Sequence, residues 1–133
     1  MTIQMSESVR NARLDQLESI VGTAAKLQLW SGAQPANAAA ADSGTKLCEI
    51  TLPSDWMNAA ASGQKTKLGT WSGTGIGGGG TIGHFRLKDS GLVACHLQGS
   101  VGQGSGDLSL DNTVIADGQT VTVTAFTLTD GNA

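Results

Sequence analysis

The apolar positions of this chain change period once. Over residues 6–22 they recur at helical spacing. Val9, Leu14, Leu17 and Val21, with Ile20 beside them, line one side, while Arg10, Arg13, Asp15 and Glu18 fall mainly elsewhere. Ser6 or Ser8 supplies an N-cap, and Gly22 is a natural terminator. After residue 25 the period drops to two, the mark of strands with one buried and one solvent-facing side. Lys26-Leu27-Gln28-Leu29-Trp30 is the first such run; Cys48, Ile50 and Leu52 alternate with Glu49 and Thr51 in the second, which Pro53 ends. A third is expected around 67–72, where Leu68 and Trp71 fall out of phase by one residue and imply a bulge near Gly69. The clearest alternation fills 81–128: Gly83-His84-Phe85-Arg86-Leu87, Val93-Ala94-Cys95-His96-Leu97, Leu108-Ser109-Leu110, Thr113-Val114-Ile115 and Val121-Thr122-Val123. In the last run Val121, Val123 and Ala125 give way to Phe126 and Leu128, which predicts a bulge near Thr124.

Turn chemistry separates these runs at Asp89-Ser90-Gly91, at the glycine-rich 102–106 and at Asp117-Gly118-Gln119. Residues 31–45 are rich in alanine, but Pro35, Asn37, Asp42 and Gly44 favour a long ordered loop over a helix. Ser54 caps an expected short helical turn over 54–58 that Gly63 closes, with Trp56 and Met57 covering an open end of the core. Residues 73–80 are too rich in glycine for a stable ladder and are expected to form a mobile hairpin tip. Repeated turns and short strands predict a mainly β protein: an antiparallel two-sheet sandwich, jelly-roll-like, of seven or eight strands with an N-terminal α-helix. The expected division is a helical arm over 1–24 and a β-sandwich domain over 25–133. A lone helix of this length is marginal, so it packs either on its own sheet or on another chain.

Composition narrows the function. The 133 residues suffice for one modest core, and only 14% are charged, well under the roughly 25% of typical domains, so the polar surface falls to Ser, Thr, Asn, Gln and backbone. A net charge of -3 and scattered Lys and Arg exclude a nucleic-acid footprint. No apolar run approaches the roughly 20 residues needed to cross a bilayer. The N-terminus lacks the layout of a signal peptide, so assembly in a cytoplasm is expected. Two cysteines cannot build the disulfide framework of a small secreted domain.

Candidate chemistry is sparse. Gly73, Gly75 and Gly78 satisfy G-x-G-x-x-G, but no helix is predicted to follow and no βαβ unit surrounds them, so no dinucleotide site is assigned. Cys48, Cys95, His84 and His96 lack paired metal-ligand spacing. Both cysteines fall on the inward phase as small buried hydrophobes, and whether they pair is left open. Asp107, Ser109 and Asp111 lack the glycine turn and final Glu of a calcium loop, and no serine sits in an activating elbow. No catalytic residue, cofactor or metal is therefore assigned. The inward set is Phe85, Leu87, Cys95, Leu97, Leu108, Leu110, Val121 and Val123. On the outward phase His84, Arg86, His96 and Gln98 form either a polar contact patch or a solvated face. With Val9, Leu14, Leu17 and Val21 of the helix, these are the candidate protein-contact residues. Trp30, Trp56 and Trp71 are either core residues or, in a carbohydrate-binding module, a stacking platform.

The run Asp111-Asn112-Thr113-Val114-Ile115-Ala116-Asp117-Gly118-Gln119-Thr120-Val121-Thr122-Val123 and the closing Thr127-Leu128-Thr129-Asp130-Gly131-Asn132-Ala133 resemble small virion proteins of tailed phages and prophages. So do Leu52-Pro53-Ser54-Asp55-Trp56, Gly83-His84-Phe85-Arg86 and the N-terminal helix. The resemblance covers most of the chain but carries over no contact residue. It implies a capsid cement, or decoration, protein. Such a protein sits on the virion surface, bridges major capsid protein subunits and forms a homo-oligomer (dimer or trimer), without nucleic-acid or membrane partners. A tail, collar or fibre-associated structural role is the alternative it leaves.

Overall fold

In the computed structural model, which describes residues 3–130, one helix precedes nine strands. The helix α1 spans Glu7–Val21; the strands are β1 Lys26–Ser31, β2 Lys46–Thr51, β3 Gln64–Thr66, β4 Ser72–Thr74, β5 Gly80–Lys88, β6 Cys95–Gly102, β7 Leu108–Leu110, β8 Val114–Ile115 and β9 Thr120–Thr129. They join in the order β2-β1-β5-β6-β7-β9-β3, with β4 also on β9 and β8 on β5. The mainly β expectation holds. Where two antiparallel sheets in jelly-roll order were expected, the strands form one curled sheet of mixed direction. Only β6 and β7 run parallel, through Val101↔Leu108 and Gly102↔Ser109. The intervening loop doubles back because the Asp107 carboxylate accepts from the Ser100 N–H (2.9 Å) and hydroxyl (3.1 Å). The curl brings β4 over β2: the Ile76 N–H donates to the Leu47 carbonyl (2.8 Å), and a side-chain carbon at Gly73 would press on Ile50 and Cys48.

Inside the curl lies one core, with Leu27, Leu29, Ile50, Leu87, Leu108, Val121 and Val123 from the strands. An aromatic chain runs through it, Trp56 to Trp71 (6.0 Å between ring centres), Trp71 to Phe126 (5.6 Å) and Phe126 to Phe85 (5.6 Å). Such contacts add to the transfer term of each ring. Of the expected inward set, Cys95 and Leu97 are only half-buried. The phase change in β9 has the expected origin. Leu108 pairs with Phe126, Ser109 with Ala125 and Leu110 with Val123, which leaves Thr124 as the extra residue of a bulge.

Two expected elements are replaced. Residues 54–58 form no helical turn; after a bend at Ser54–Asp55, residues 56–58 run beside 66–68, with Asn58 N–H on Thr66 O and Leu68 N–H on Trp56 O, both 2.9 Å. The extended form lets both Trp56 and Met57 reach the core while Trp56 Nε1 donates to Gly22 O (2.9 Å). The strand expected over 67–72 does not form: apart from an isolated bridge at Lys67 and Ser72 at the start of β4, these residues are a connection bent at Gly69 that joins β3 to β4, which pair with opposite ends of β9. The expected 73–80 tip is shorter, since Gly73 and Thr74 belong to β4 and Gly80 to β5.

Ser6 caps α1, accepting from the Val9 N–H, and Gly22 ends it. The helix docks on its own chain, and not mainly through its apolar side. Glu7, Asn11, Asp15 and Glu18, spaced three and four apart, form a polar stripe. They accept from the backbone N–H groups of Ser62 (3.2 Å), Gly63 (2.9 Å), Ala60 (2.9 Å) and Met57 (2.8 Å). Lys65 of β3, with its side chain 1% exposed, completes the joint: Nζ lies 2.7 Å from Asp15 and 3.1 Å from Glu18 and donates to Asn58 O. Burial works against the ammonium, but the bonds to Asp15 and Glu18 outweigh it and hold Lys65 above its ordinary range. The Lys65 bond, then that of Ala60, holds the Asp15 carboxyl below its own. The expectation that Asp15 and Glu18 point away from the docked side is corrected here.

Candidate protein-contact surface

The outward side of the sheet is not free. Residues 32–45 cross it as a roof, held by the side chains expected to greet a partner. In register, Gln28 of β1, Arg86 of β5 and Gln98 of β6 form one cross-strand row, with His84 one pleat along. His84 Nδ1 pairs with Gly32 O (3.0 Å), Gln98 Nε2 donates to Pro35 O (2.8 Å), and Arg86 donates to the carbonyls of Ala38 (2.8 Å), Ala40 (2.8 Å) and Ala41 (3.4 Å). Arg86 Nε faces Asp42 Oδ1 at 3.1 Å without hydrogen-bonding geometry, and Lys88 Nζ takes Asp42 Oδ2 at 2.6 Å. The placement of His84 and Arg86 on an open face is therefore corrected: both are buried, and β5 is covered on both sides. Gly83 fits this contact, since a Cβ there would strike the Gly32 carbonyl of the roof.

His96 stands apart from that row. It is the unpaired residue of a bulge between Leu87↔Leu97 and Lys88↔Cys95, and its Nε2 lies 3.4 Å from Asp89 Oδ2, an ion pair only when the imidazole is protonated. Asp89 organises the β5–β6 turn by accepting from the Val93 and Ala94 N–H groups, and these bonds, Val93 first, hold its carboxyl below the ordinary range. On the helix Leu14 and Val21 are buried against the body, Leu17 is half-buried, and Val9 is 46% exposed. Of the eight candidate contact residues, only Val9 is exposed, and Leu17, His96 and Gln98 are half-buried.

Two of the three tryptophans proposed as a sugar platform lie in the core, and Trp71 Nε1 is satisfied by Leu68 O. Only Trp30 reaches the roofed face, half-buried. Cys48 and Cys95 are both free, on β2 and β6 with two strands between them, beyond the roughly 7 Å limit for a disulfide. Burial, then the Glu49 charge, pushes the Cys48 thiol up to about 11. Two of the G-x-G-x-x-G glycines serve packing, Gly73 against β2 and Gly75, which exchanges hydrogen bonds with Gln119 and Gly118 and where a Cβ would strike the Ala116 carbonyl. Among the described residues no group of three His, Cys, Asp or Glu gathers to hold a metal, and no helix is long and apolar enough to cross a membrane.

Two openings border this surface. A groove of about 510 Å³ separates the roof at Ala38–Asp42 from the β5–β6 turn, with Leu92 and Val93 (87% exposed) on its rim. The second, about 420 Å³, lies between β6 and β9 where the three-residue β7 stops. Phe85, Leu97, Phe126 and Leu128 line it, with Gln98, Asp107, Thr127 and Thr129 at its edges. Neither was foreseen, because both depend on which strands become neighbours.

These features define a small curled-sheet body with a docked helix and a roofed face. Comparison with family models, with curated proteins and with solved structures found no match.

Proposed function

We propose that the protein is a non-catalytic structural component of a virion that binds the outside of a phage capsid and bridges major capsid protein subunits. One observation carries the structural part of this reading. All eight lysines and arginines are engaged within the chain. Arg10 and Arg13 meet Asp130; Lys26 bonds Thr51; Lys46 meets Glu49; Lys65 holds the helix; Lys67 bonds Gly69 O; Arg86 and Lys88 hold the roof. The charged groups thus lock the protein's own loops and helix, which suits a part whose work is to keep its shape while attached. What faces outward is low in charge, with scattered apolar residues such as Val9, Ile20, Val93 and Val114. Repeated over a shell, modest contacts through such a surface sum by avidity. The sheet halves that face each other across the curl stand, on this reading, for the sandwich-like body of a decoration protein. The virion assignment itself rests on the resemblance in the sequence. The test compares particles with and without the protein under heat and osmotic shock. Lower resistance in depleted particles, restored by adding the protein back, supports cementing; equal resistance refutes it.

A further inference from the structure

The roof over the sheet closes on polar atoms that it does not itself satisfy. Among the described residues six buried side-chain nitrogen and oxygen atoms lack a hydrogen-bond partner, and five of them belong to the roofed face: Gln28 Oε1, Trp30 Nε1, His84 Nε2, Arg86 Nε and Gln98 Oε1. Gln28, His84 and Arg86 are each at most 3% exposed. A buried polar group without a partner keeps its full desolvation penalty, and five of them together would take up much of a small domain's stability. Such groups in folded proteins are as a rule satisfied by protein or by ordered water.

The bonds already made fix the hydrogen-bonding sense of each of the five. Gln28 Nε2 donates to Glu49 Oε1 (2.8 Å) and Gln98 Nε2 to Pro35 O (2.8 Å), so the two amide oxygens are the unused ends, and both accept. His84 Nδ1 meets the Gly32 carbonyl at 3.0 Å, so it carries the ring proton, and Nε2 of the neutral ring accepts. Trp30 Nε1 and Arg86 Nε can only donate. Register then places one donor beside one acceptor twice. On the same face of β1 and β5, Trp30 stands opposite His84 and Gln28 opposite Arg86, while Gln98 flanks Arg86 from β6. Side chains opposite each other in this way start about 5 Å apart at Cβ. What fits between such a pair accepts from one member and donates to the other. An ion does not. Arg86 repels a cation, and an anion would meet Asp42 beside Arg86 Nε and Glu49 beside Gln28. We propose that the roofed face is a binding site for internal water, with one molecule bridging Trp30 Nε1–H to His84 Nε2 and another bridging Arg86 Nε–H to Gln28 Oε1. At the usual frequency of one buried water per roughly 27 residues, a chain of 133 holds about five, so two under one roof are well within the ordinary. The roof is thus joined to the sheet partly through water, and the first bridge holds His84 as its Nδ1–H tautomer.

The proposal concerns the inside of the protein and does not depend on the virion reading. Its test is magnetic resonance of the full chain, labelled with nitrogen-15, in ordinary water. Cross-relaxation from water to the Trp30 indole N–H and to the Arg86 Nε–H is expected, with the sign of a molecule that tumbles with the protein. The nitrogen shifts of the His84 ring should show a protonated Nδ1 and a bare Nε2. Gln28→Met keeps the length of the side chain and removes the amide; it should lose the water signal at Arg86 and keep that at Trp30. The wild type decides the matter even where this variant folds poorly. Absence of bound-water signals at either N–H overturns the proposal, as does the opposite His84 tautomer. A scalar coupling between Trp30 Nε1 and His84 Nε2 overturns it too, since that marks a direct hydrogen bond. A folded Gln28→Met protein whose Arg86 signal is unchanged refutes the second bridge and with it the proposal.

Discussion

Replacing Lys65 by methionine tests the joint between helix and sheet. The change keeps the length and packing of the stem and removes only the charge. Lost are the bonds of Nζ to Asp15 (2.7 Å), Glu18 (3.1 Å) and Asn58 O (3.0 Å). A hydrogen bond to a charged group contributes about 1.5–3 kcal/mol. Two terms reduce the sum. The Asp15 side chain is 49% exposed and Glu18 21%, so water takes over part of their solvation, and both keep their backbone donors at Ala60 and Met57. The desolvation of the buried ammonium is also relieved in the variant. The expected net loss is about 2 kcal/mol. At about 2.1 cal/mol/K of unfolding entropy per residue, a chain of 133 residues then melts about 7 °C lower. Lys65→Ala, which adds a cavity, should cost about twice as much.

The pH dependence separates this account from a simple packing defect. Asp15 is depressed in the folded state, so its share of stability is present above its unfolded value near 4 and is lost as pH falls through the lower folded value. Lys65 is raised, so its share is present below its unfolded value of about 10.4 and is lost as pH rises through the higher folded value. The wild-type advantage over Lys65→Met should therefore be widest between about pH 5 and 10 and shrink outside it. Thermal unfolding followed by circular dichroism from acid to neutral pH reads this directly. A difference under about 2 °C at pH 7, or one unchanged down to about pH 2.5, would refute the reasoning.

Three further outcomes are expected. Arg86→Leu leaves the roof carbonyls of Ala38 and Ala40 without their donor, and should cost about 2–4 kcal/mol and raise amide hydrogen exchange across 33–43 before the rest of the chain. Gly75→Ala drives a methyl into the Ala116 carbonyl, which is backbone and cannot yield cheaply; a loss of about 2–3 kcal/mol in a denaturant titration is expected. Thiol labelling of the native protein at mildly alkaline pH should modify half-buried Cys95 well before Cys48, whose thiol is pushed up to about 11; equal rates would contradict the burial of Cys48.

Much of the fold was legible because it follows from the local period. The helix and its Ser6 cap, β1, β2, the 31–45 loop and the bulge at Thr124 each follow from a few consecutive residues. What was missed depended on neighbours far along the chain. Trp56 and Met57 lie next to each other, which suggested a turn of helix; both are buried because an extended segment finds the core on one side and Gly22 O and Glu18 on the other. His84 and Arg86 alternate with Phe85 and Leu87, and alternation alone cannot distinguish a face open to water from one covered by a polar loop. The helix misled for a related reason. Its apolar residues were sought as the docking side, while Glu7, Asn11, Asp15 and Glu18 were a stripe of equal regularity.

The two misread surfaces obey one rule. A loop lying on a regular element must satisfy its backbone groups, and the element supplies the opposite kind of partner. The 57–63 segment turns N–H groups toward α1, and the stripe there is built from acceptors, three carboxylates and one amide oxygen. The 32–45 roof turns carbonyls toward β5 and β6, and the row there supplies donors from Arg86 and Gln98, with His84 on the Gly32 carbonyl. A regular polar stripe of one hydrogen-bonding sense therefore points to a loop of the other sense lying over it, and to a partner protein only after that loop has been looked for.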